Sequence, residues 1–109
     1  MKLSEEKCAP VEKGQKPLAQ DQATGLSKQV PNWSLNDAAL ERDYKFKGFG
    51  EAMEFVNEVA AIAASEDHHP DMCVSYNKVS LKLTTHKIGG LSRNDFIVAA
   101  RIDELGLPE

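Results

Sequence analysis

The sequence has few cysteines, and it contains no long apolar run. Two cysteines among 109 residues, Cys8 and Cys73, are too few to indicate a disulfide framework. No apolar run approaches the roughly 18 residues that a membrane-spanning helix needs. The charged residues 1–7 are not followed by the apolar stretch of a secretory signal. We therefore expect a protein without a membrane segment, located by default in the cytoplasm.

An excess of positive charge is also missing. The formal net charge is -4, and the lysines and arginines are scattered among acidic residues. Nucleic-acid binders usually present a basic patch or stripe, so we expect no nucleic-acid partner. Apolar residues make up 41% of the chain and charged residues 28%, which is the balance of a soluble globule. The length fits one domain.

Several sequence motifs of enzymes are absent as well. There is no Gly-x-Ser-x-Gly nucleophile elbow and no Gly-rich phosphate loop followed by lysine. The usual ligand spacings of a zinc site are missing. Cys73 falls in a predicted strand, and no sequence feature pairs it with a base. Acid–base chemistry is the class of catalysis that remains.

The apolar pattern predicts an α+β fold. In chain order we expect a weak helix, two strands, the clearest helix, two more strands and a last helix, over residues 19–29, 33–35, 40–46, 49–65, 72–76, 79–86 and 93–105. Arg42 interrupts the apolar face of the second strand, so a later start of that strand is an open alternative. Two hairpins alternating with helices indicate two layers, a four-stranded antiparallel sheet with helices packed on one face.

The ends of the chain differ in composition from its middle. Residues 1–17 are polar and carry Pro10, Gly14 and Pro17, which is typical of a flexible arm. We expect a single domain over 18–109. A small sheet with one open face and free edges favours self-association.

All three histidines of the chain, His68, His69 and His86, lie within 19 residues. The first two follow the clearest helix, and a hairpin with its turn at 77–78 places His86 opposite residues near 69. Strand alternation turns His86 away from the core. A chance cluster and a metal site are the alternatives, but adjacent His68 and His69 cannot easily present nitrogens to one ion. Imidazole titrates near neutral pH, with a pKa of about 6.5, and suits proton transfer.

Several short motifs occur in order along the second half of the chain, namely Asp67-His68-His69-Pro70, Tyr76-Asn77-Lys78-Val79, Thr85-His86, Gly89-Gly90-Leu91-Ser92 and Asp95. This pattern resembles the pterin-4a-carbinolamine dehydratase family over roughly residues 30–105. The resemblance implies a four-stranded antiparallel sheet with helices on one side. It also implies a homodimer or homotetramer and a reaction that requires neither a metal nor another cofactor.

The resemblance further implies a lyase. Its substrate is a 4a-hydroxytetrahydropterin, its product is quinonoid dihydropterin, and the reaction recycles the cofactor of aromatic amino acid hydroxylases. By matching position, His68, His69 and His86 are the catalytic histidines. We expect His68 and His86 to form the proton-transfer pair, and His69 to bind and orient the pterin.

Five further residues are implied as substrate-binding residues: Pro70, Thr85, Lys87, Ile88 and Asp95. Asp95 has a second interpretation, because with Ser92 it fits the capping box of the last helix. It can also do both jobs. Ala64 departs from the family, since some members carry an acid there. The alternative functions are a pterin-binding accessory protein in molybdopterin metabolism, and a dimerisation cofactor or pterin-binding protein without turnover.

Overall fold

The computed structural model describes residues 2–36 and 38–105. Its regular elements, in chain order, are α1 Gln20–Ser27, β1 Ser34–Asn36, β2 Ala39–Lys45, α2 Phe49–Glu66, β3 Asp71–Ser75, β4 Lys78–Leu83 and α3 Arg93–Asp103. Short 3₁₀ turns cover Leu3–Glu5 and His86–Ile88. The predicted order of helices and strands is therefore confirmed. The last four residues of the predicted domain, 106–109, lie outside the described residues.

The four strands form one antiparallel sheet in the order β1-β2-β4-β3. Alternate residues of the two central strands share the inner face, where Leu40 pairs with Leu83 and Tyr44 with Val79. All four side chains are buried with apolar residues of the helices. Lys82 and the other alternate residues of β4 are exposed on the outer face. The two-layer arrangement predicted from periodicity is confirmed.

Helix α2 leads the chain to the histidines. Its buried residues Ala52, Phe55, Val59 and Ala63 follow helical spacing, so one stripe of the helix faces the core. The helix ends at Glu66, and the residue that caps it, Asp67, has left-handed backbone angles with φ of 51°. Aspartate tolerates this conformation better than most residues. In the described part of the chain, no helix combines the length and the hydropathy of a membrane span.

Strand β2 begins at Ala39, before Arg42, so the alternative of a later start is wrong. Arg42 fits the inner face because its charge is paired. Its guanidinium lies 4.6 Å from the centre of the Tyr44 ring, and its Nη1 lies 2.8 Å from Oδ1 of Asp103 on α3. A half-buried arginine is tolerated where a carboxylate and an aromatic face both receive it.

The turn of the second hairpin differs from the prediction by one residue. Ser75 pairs with Lys78, so the turn residues are Tyr76 and Asn77. Tyr76 has a φ of 53°, a left-handed conformation that is uncommon for tyrosine and that the sequence does not indicate. Strand β4 then stops at Leu83, and His86 lies in the following 3₁₀ turn. The predicted pairing of His86 with residues near 69 is therefore wrong.

The N-terminal segment lies against α3. Leu3 is 1% exposed and belongs to the core. Glu6 accepts two hydrogen bonds of 2.7 Å from the Arg93 guanidinium, and its backbone carbonyl accepts one of 2.6 Å from Arg101. The flexibility of residues 1–17 stays a prediction, but these contacts make the segment part of the packed structure.

Candidate active site

A cavity of about 490 Å³ opens where four parts of the chain meet. They are the end of α2, the 3₁₀ turn at His86–Ile88 (called the 3₁₀ turn below), the start of α3 and the N-terminal segment. His68, His69 and His86 all line this cavity. The hairpin returns the chain beside the end of α2, and this brings the three imidazoles to one place although the predicted register was wrong. Within the described residues, no cluster of three His, Cys, Asp or Glu side chains is arranged to hold a metal ion.

His68 is the most firmly held of the three histidines. Its side chain is 12% exposed, and its Nε2 lies 2.5 Å from Oδ1 of Asp95. The Asp95 side chain is fully buried in the first turn of α3. A carboxylate on one ring nitrogen fixes the orientation of an imidazole and stabilises its protonated form. Asp95 occupies Nε2, so Nδ1 is the ring nitrogen left for another partner.

Asp95 also organises the start of α3. Its Oδ2 accepts hydrogen bonds from the Thr85 hydroxyl at 2.8 Å and from the backbone N–H of Ser92 at 2.9 Å. The hydroxyls of Thr85 and Ser92 lie 2.8 Å apart. The Asp95 carboxylate therefore contacts both the N-terminus of α3 and the His68 ring. A buried acid needs several such partners to offset the loss of water.

The other two histidines are more open. The His86 side chain is 76% exposed, and its Nε2 lies 3.8 Å from Oδ2 of Asp71, which is also exposed. A pair at this distance and exposure restrains the ring weakly. His69 is exposed and directly precedes Pro70, which is buried. The proline restricts the backbone of His69 to extended conformations.

The remaining predicted binding residues divide into two groups. Among the described residues, Thr85 and Lys87 line the cavity, whereas Pro70, Ile88 and Asp95 do not. Thr85 is buried in the carboxylate network, and Lys87 donates from Nζ to the backbone carbonyl of a residue in the N-terminal segment. Asp95 reaches the cavity through His68, so its structural position is that of a positioning residue.

Sequence reasoning missed the lining residues Cys8, Ala9, Pro10, Val11, Glu66, Thr84 and Asn94. Asp67 also lines the cavity, and it was named only as part of the Asp-His-His-Pro motif. Burial, and then the neighbouring Glu66 carboxylate, raise the pKa of the Cys8 thiol to about 12. A thiol protonated at neutral pH is a poor nucleophile. Glu66 directly precedes the Asp-His-His-Pro motif, and this position was the one feature of the sequence that could have placed Glu66 at the site. The N-terminal residues carry no motif that could have placed them here.

Comparison with known proteins decides the family. The family model described as pterin 4 alpha carbinolamine dehydratase matches residues 16–105. This chain belongs to that family. A relative from Nitrosomonas eutropha is 48% identical over 94% of this chain and 92% of its own length. Another, from Halorhodospira halophila, is 44% identical over 97% of this chain and 99% of its own length. Both are named provisionally as pterin-4-alpha-carbinolamine dehydratases.

Solved structures of pterin dehydratase-like proteins share this fold. The crystal structure of a transcriptional coactivator/pterin dehydratase from Brucella melitensis gives a TM-score of 0.77 at 27% identity, and covers 82% of this chain and 97% of that one. A pterin dehydratase-like protein identified as a RuBisCO assembly factor gives 0.55 at 20% identity, and covers 67% of this chain and 84% of that one. The second likeness concerns the fold alone, since one fold can carry different functions.

Proposed function

We propose that this protein is a lyase that dehydrates 4a-hydroxytetrahydropterin to quinonoid dihydropterin through histidine acid–base catalysis. The observation that carries the proposal is His68, fixed by the buried Asp95 at the edge of a cavity that His69 and His86 also line. Membership of the family supports the reaction type, and the geometry supports the residues assigned to it.

The reaction needs one proton delivered and one removed. The C4a hydroxyl must gain a proton to leave as water, and N5 must lose its proton so that the C4a–N5 double bond can form. We assign removal of the N5 proton to Nδ1 of His68, because Asp95 stabilises the positive charge that this ring acquires. We assign protonation of the hydroxyl to His86, whose exposed ring exchanges protons with water.

The other predicted residues either bind the pterin or support the residues that do in this proposal. His69 orients the pterin, Thr85 and Lys87 contact it, and Pro70 shapes the backbone under His69. Ile88 supports the 3₁₀ turn that carries His86. The physiological role would be recycling of the pterin cofactor of aromatic amino acid hydroxylases in the cytoplasm.

A homodimer or homotetramer is part of the same proposal. Strand β3 is an edge of the sheet, and all five of its residues are exposed. Met72 and Val74 are exposed apolar residues on this strand. An exposed edge strand can pair with the same strand of a second copy.

The test is a coupled assay. An aromatic amino acid hydroxylase generates the carbinolamine, and its decay is followed by absorbance with and without this protein. We expect acceleration by the wild type and by Lys82→Ala, a control on the outer face of the sheet. We expect loss of most of the acceleration in His86→Ala. If the carbinolamine decays at the same rate with and without the protein, dehydratase activity is excluded.

A pterin-binding protein without turnover is the second candidate. The weak restraint on His86 favours it, because a loosely held acid is a poor catalyst. Such a protein would bind a dihydropterin tightly and leave the carbinolamine decay unchanged. Tighter binding of a molybdopterin precursor than of a dihydropterin would favour the accessory role in molybdopterin metabolism over cofactor recycling.

A further inference from the structure

The N-terminal segment forms one side of the histidine cavity. Residues 8–11 line it together with the three histidines. The family model match begins only at residue 16, so this side is built by a part of the chain that the family model does not cover. Its side chains, Cys8, Ala9, Pro10 and Val11, are small or apolar, in contrast to the imidazoles.

Asn94 holds this segment by its backbone. Its Nδ2 donates to the carbonyl of Ala9 at 2.7 Å, and its Oδ1 accepts from the N–H of Ala9 at 2.9 Å. The side-chain amide thus meets both backbone groups of one residue, as a neighbouring strand would. Asn94 is itself buried in the first turn of α3, one residue before Asp95.

Two further contacts join the segment to the elements that carry histidines. The N–H of Cys8 donates to Oε1 of Glu66 at the end of α2, at 2.8 Å. Nζ of Lys87 in the 3₁₀ turn donates to the carbonyl of Val11 at 3.0 Å. The backbone of 8–11 is therefore positioned from α2, α3 and the 3₁₀ turn together.

We infer that residues 9–11 are a specificity-determining wall that contacts the substituent on C6 of the pterin, with Asn94 as its positioning residue. The inference rests on the proposed function. The reacting C4a–N5 edge must face the imidazoles, and C6 is bonded to N5. The C6 substituent therefore lies beside the reacting edge, where the apolar surface of Pro10 and Val11 borders the cavity.

Bulk placed on the wall tests the inference directly. Val11→Trp should raise KM about tenfold or more for a carbinolamine with a dihydroxypropyl group on C6, and less for one with a methyl group. The kcat should stay within about threefold, because the substitution changes none of the proposed proton-transfer groups. Glu12→Trp is the matched control, since Glu12 is exposed and outside the cavity lining. We expect it to match the wild type.

Loosening the wall gives a second test. Asn94→Leu removes both hydrogen bonds to Ala9 and should raise KM for the same substrate about threefold to tenfold. The matched control is Ser4→Ala, which removes an exposed contact of the same segment with Glu104. Thermal unfolding of each variant separates a loosened wall from an unfolded protein. If Val11→Trp does not fold, Ala9→Trp replaces it, because the Ala9 side chain is exposed.

Equilibrium binding separates failure of this inference from failure of the proposed function. The dissociation constant of 7,8-dihydrobiopterin, measured by fluorescence, needs no turnover. Weaker binding by Val11→Trp than by Glu12→Trp supports the wall, whether or not the wild type accelerates dehydration. Equal dissociation constants for these two variants, or an equal rise in KM for both C6 substituents, would overturn it.

Discussion

Two of the sides of the histidine cavity are built differently. On the helical side, His68 and Asp95 are buried with their polar atoms 2.5 Å apart. On the sheet-edge side, His86 and Asp71 are exposed and 3.8 Å apart. The first pair is oriented before any ligand arrives, whereas a ligand must orient the second. The same two residue types thus give a fixed imidazole and an adaptable one.

Substitution of His68, the fixed imidazole, is the stronger test of this difference between the two sides. His68→Ala should lower kcat about 10²- to 10⁴-fold, the usual worth of a placed acid or base. It should also lower the free energy of unfolding by about 1–3 kcal/mol, because Asp95 stays buried without one of its partners. The coupled assay and urea denaturation measure the two effects.

His86→Ala is the matched control for that variant. It should lower kcat at least about a hundredfold. Its free energy of unfolding should stay within about 0.5 kcal/mol of the wild type, since His86 is exposed. Full activity in either histidine variant would contradict the role assigned to that residue.

The reactivities of the two cysteines test the same difference between a packed region and an exposed one. Cys8 lies in the N-terminal segment beside Glu66 of α2, and its raised pKa of about 12 keeps the thiol protonated at pH 8. Cys73 is exposed on β3, an edge strand of the sheet. Iodoacetamide should therefore modify Cys8 about a hundredfold more slowly than Cys73.

Mass spectrometry of timed samples at pH 8 follows the two modifications separately. In urea the two rates should converge, because unfolding removes the burial that raises the pKa of Cys8. Equal rates in the folded protein would instead favour the flexible arm predicted from composition for residues 1–17.

Removing the charge of Asp95 probes how the fixed side is held. Asp95→Asn keeps the shape, but its NH₂ group must face either His68 or the donors Thr85 and Ser92. We expect kcat to fall about tenfold or more through a misplaced His68. The free energy of unfolding should fall by about 1–3 kcal/mol. A pH profile of kcat that matches the wild type would show that Asp95 acts on stability alone.

Local patterns of the sequence predicted the fixed side well. Ser92 and Asp95 are three residues apart, and this capping-box spacing indicated the start of α3 that the structure has. The apolar alternation that predicted the strands was equally local. It did not show that the turn of the second hairpin begins one residue earlier, at Tyr76, and the predicted position of His86 opposite residues near 69 was therefore wrong. Twist and turn geometry, rather than apolar alternation, decide such a register.

The N-terminal wall could not have been predicted in this way. Ala9 and Asn94 are 85 residues apart, and neither belongs to a periodic apolar pattern. A polar segment with prolines is typical of an arm in solution as well as of a segment fixed by side-chain amides. Only the packed structure distinguishes the two, because the bonds that hold the segment come from α2, α3 and the 3₁₀ turn.

The smallest effect is expected on the adaptable side. Asp71→Asn removes the charge near His86, but the pair is exposed and 3.8 Å apart, so kcat should change no more than about twofold and stability by less than about 0.5 kcal/mol. The measurement is made beside Asp95→Asn, the same substitution in the buried pair. If Asp71→Asn lowered kcat as much as Asp95→Asn, both imidazoles would depend on their carboxylates, and the contrast between a fixed and an adaptable side would be wrong.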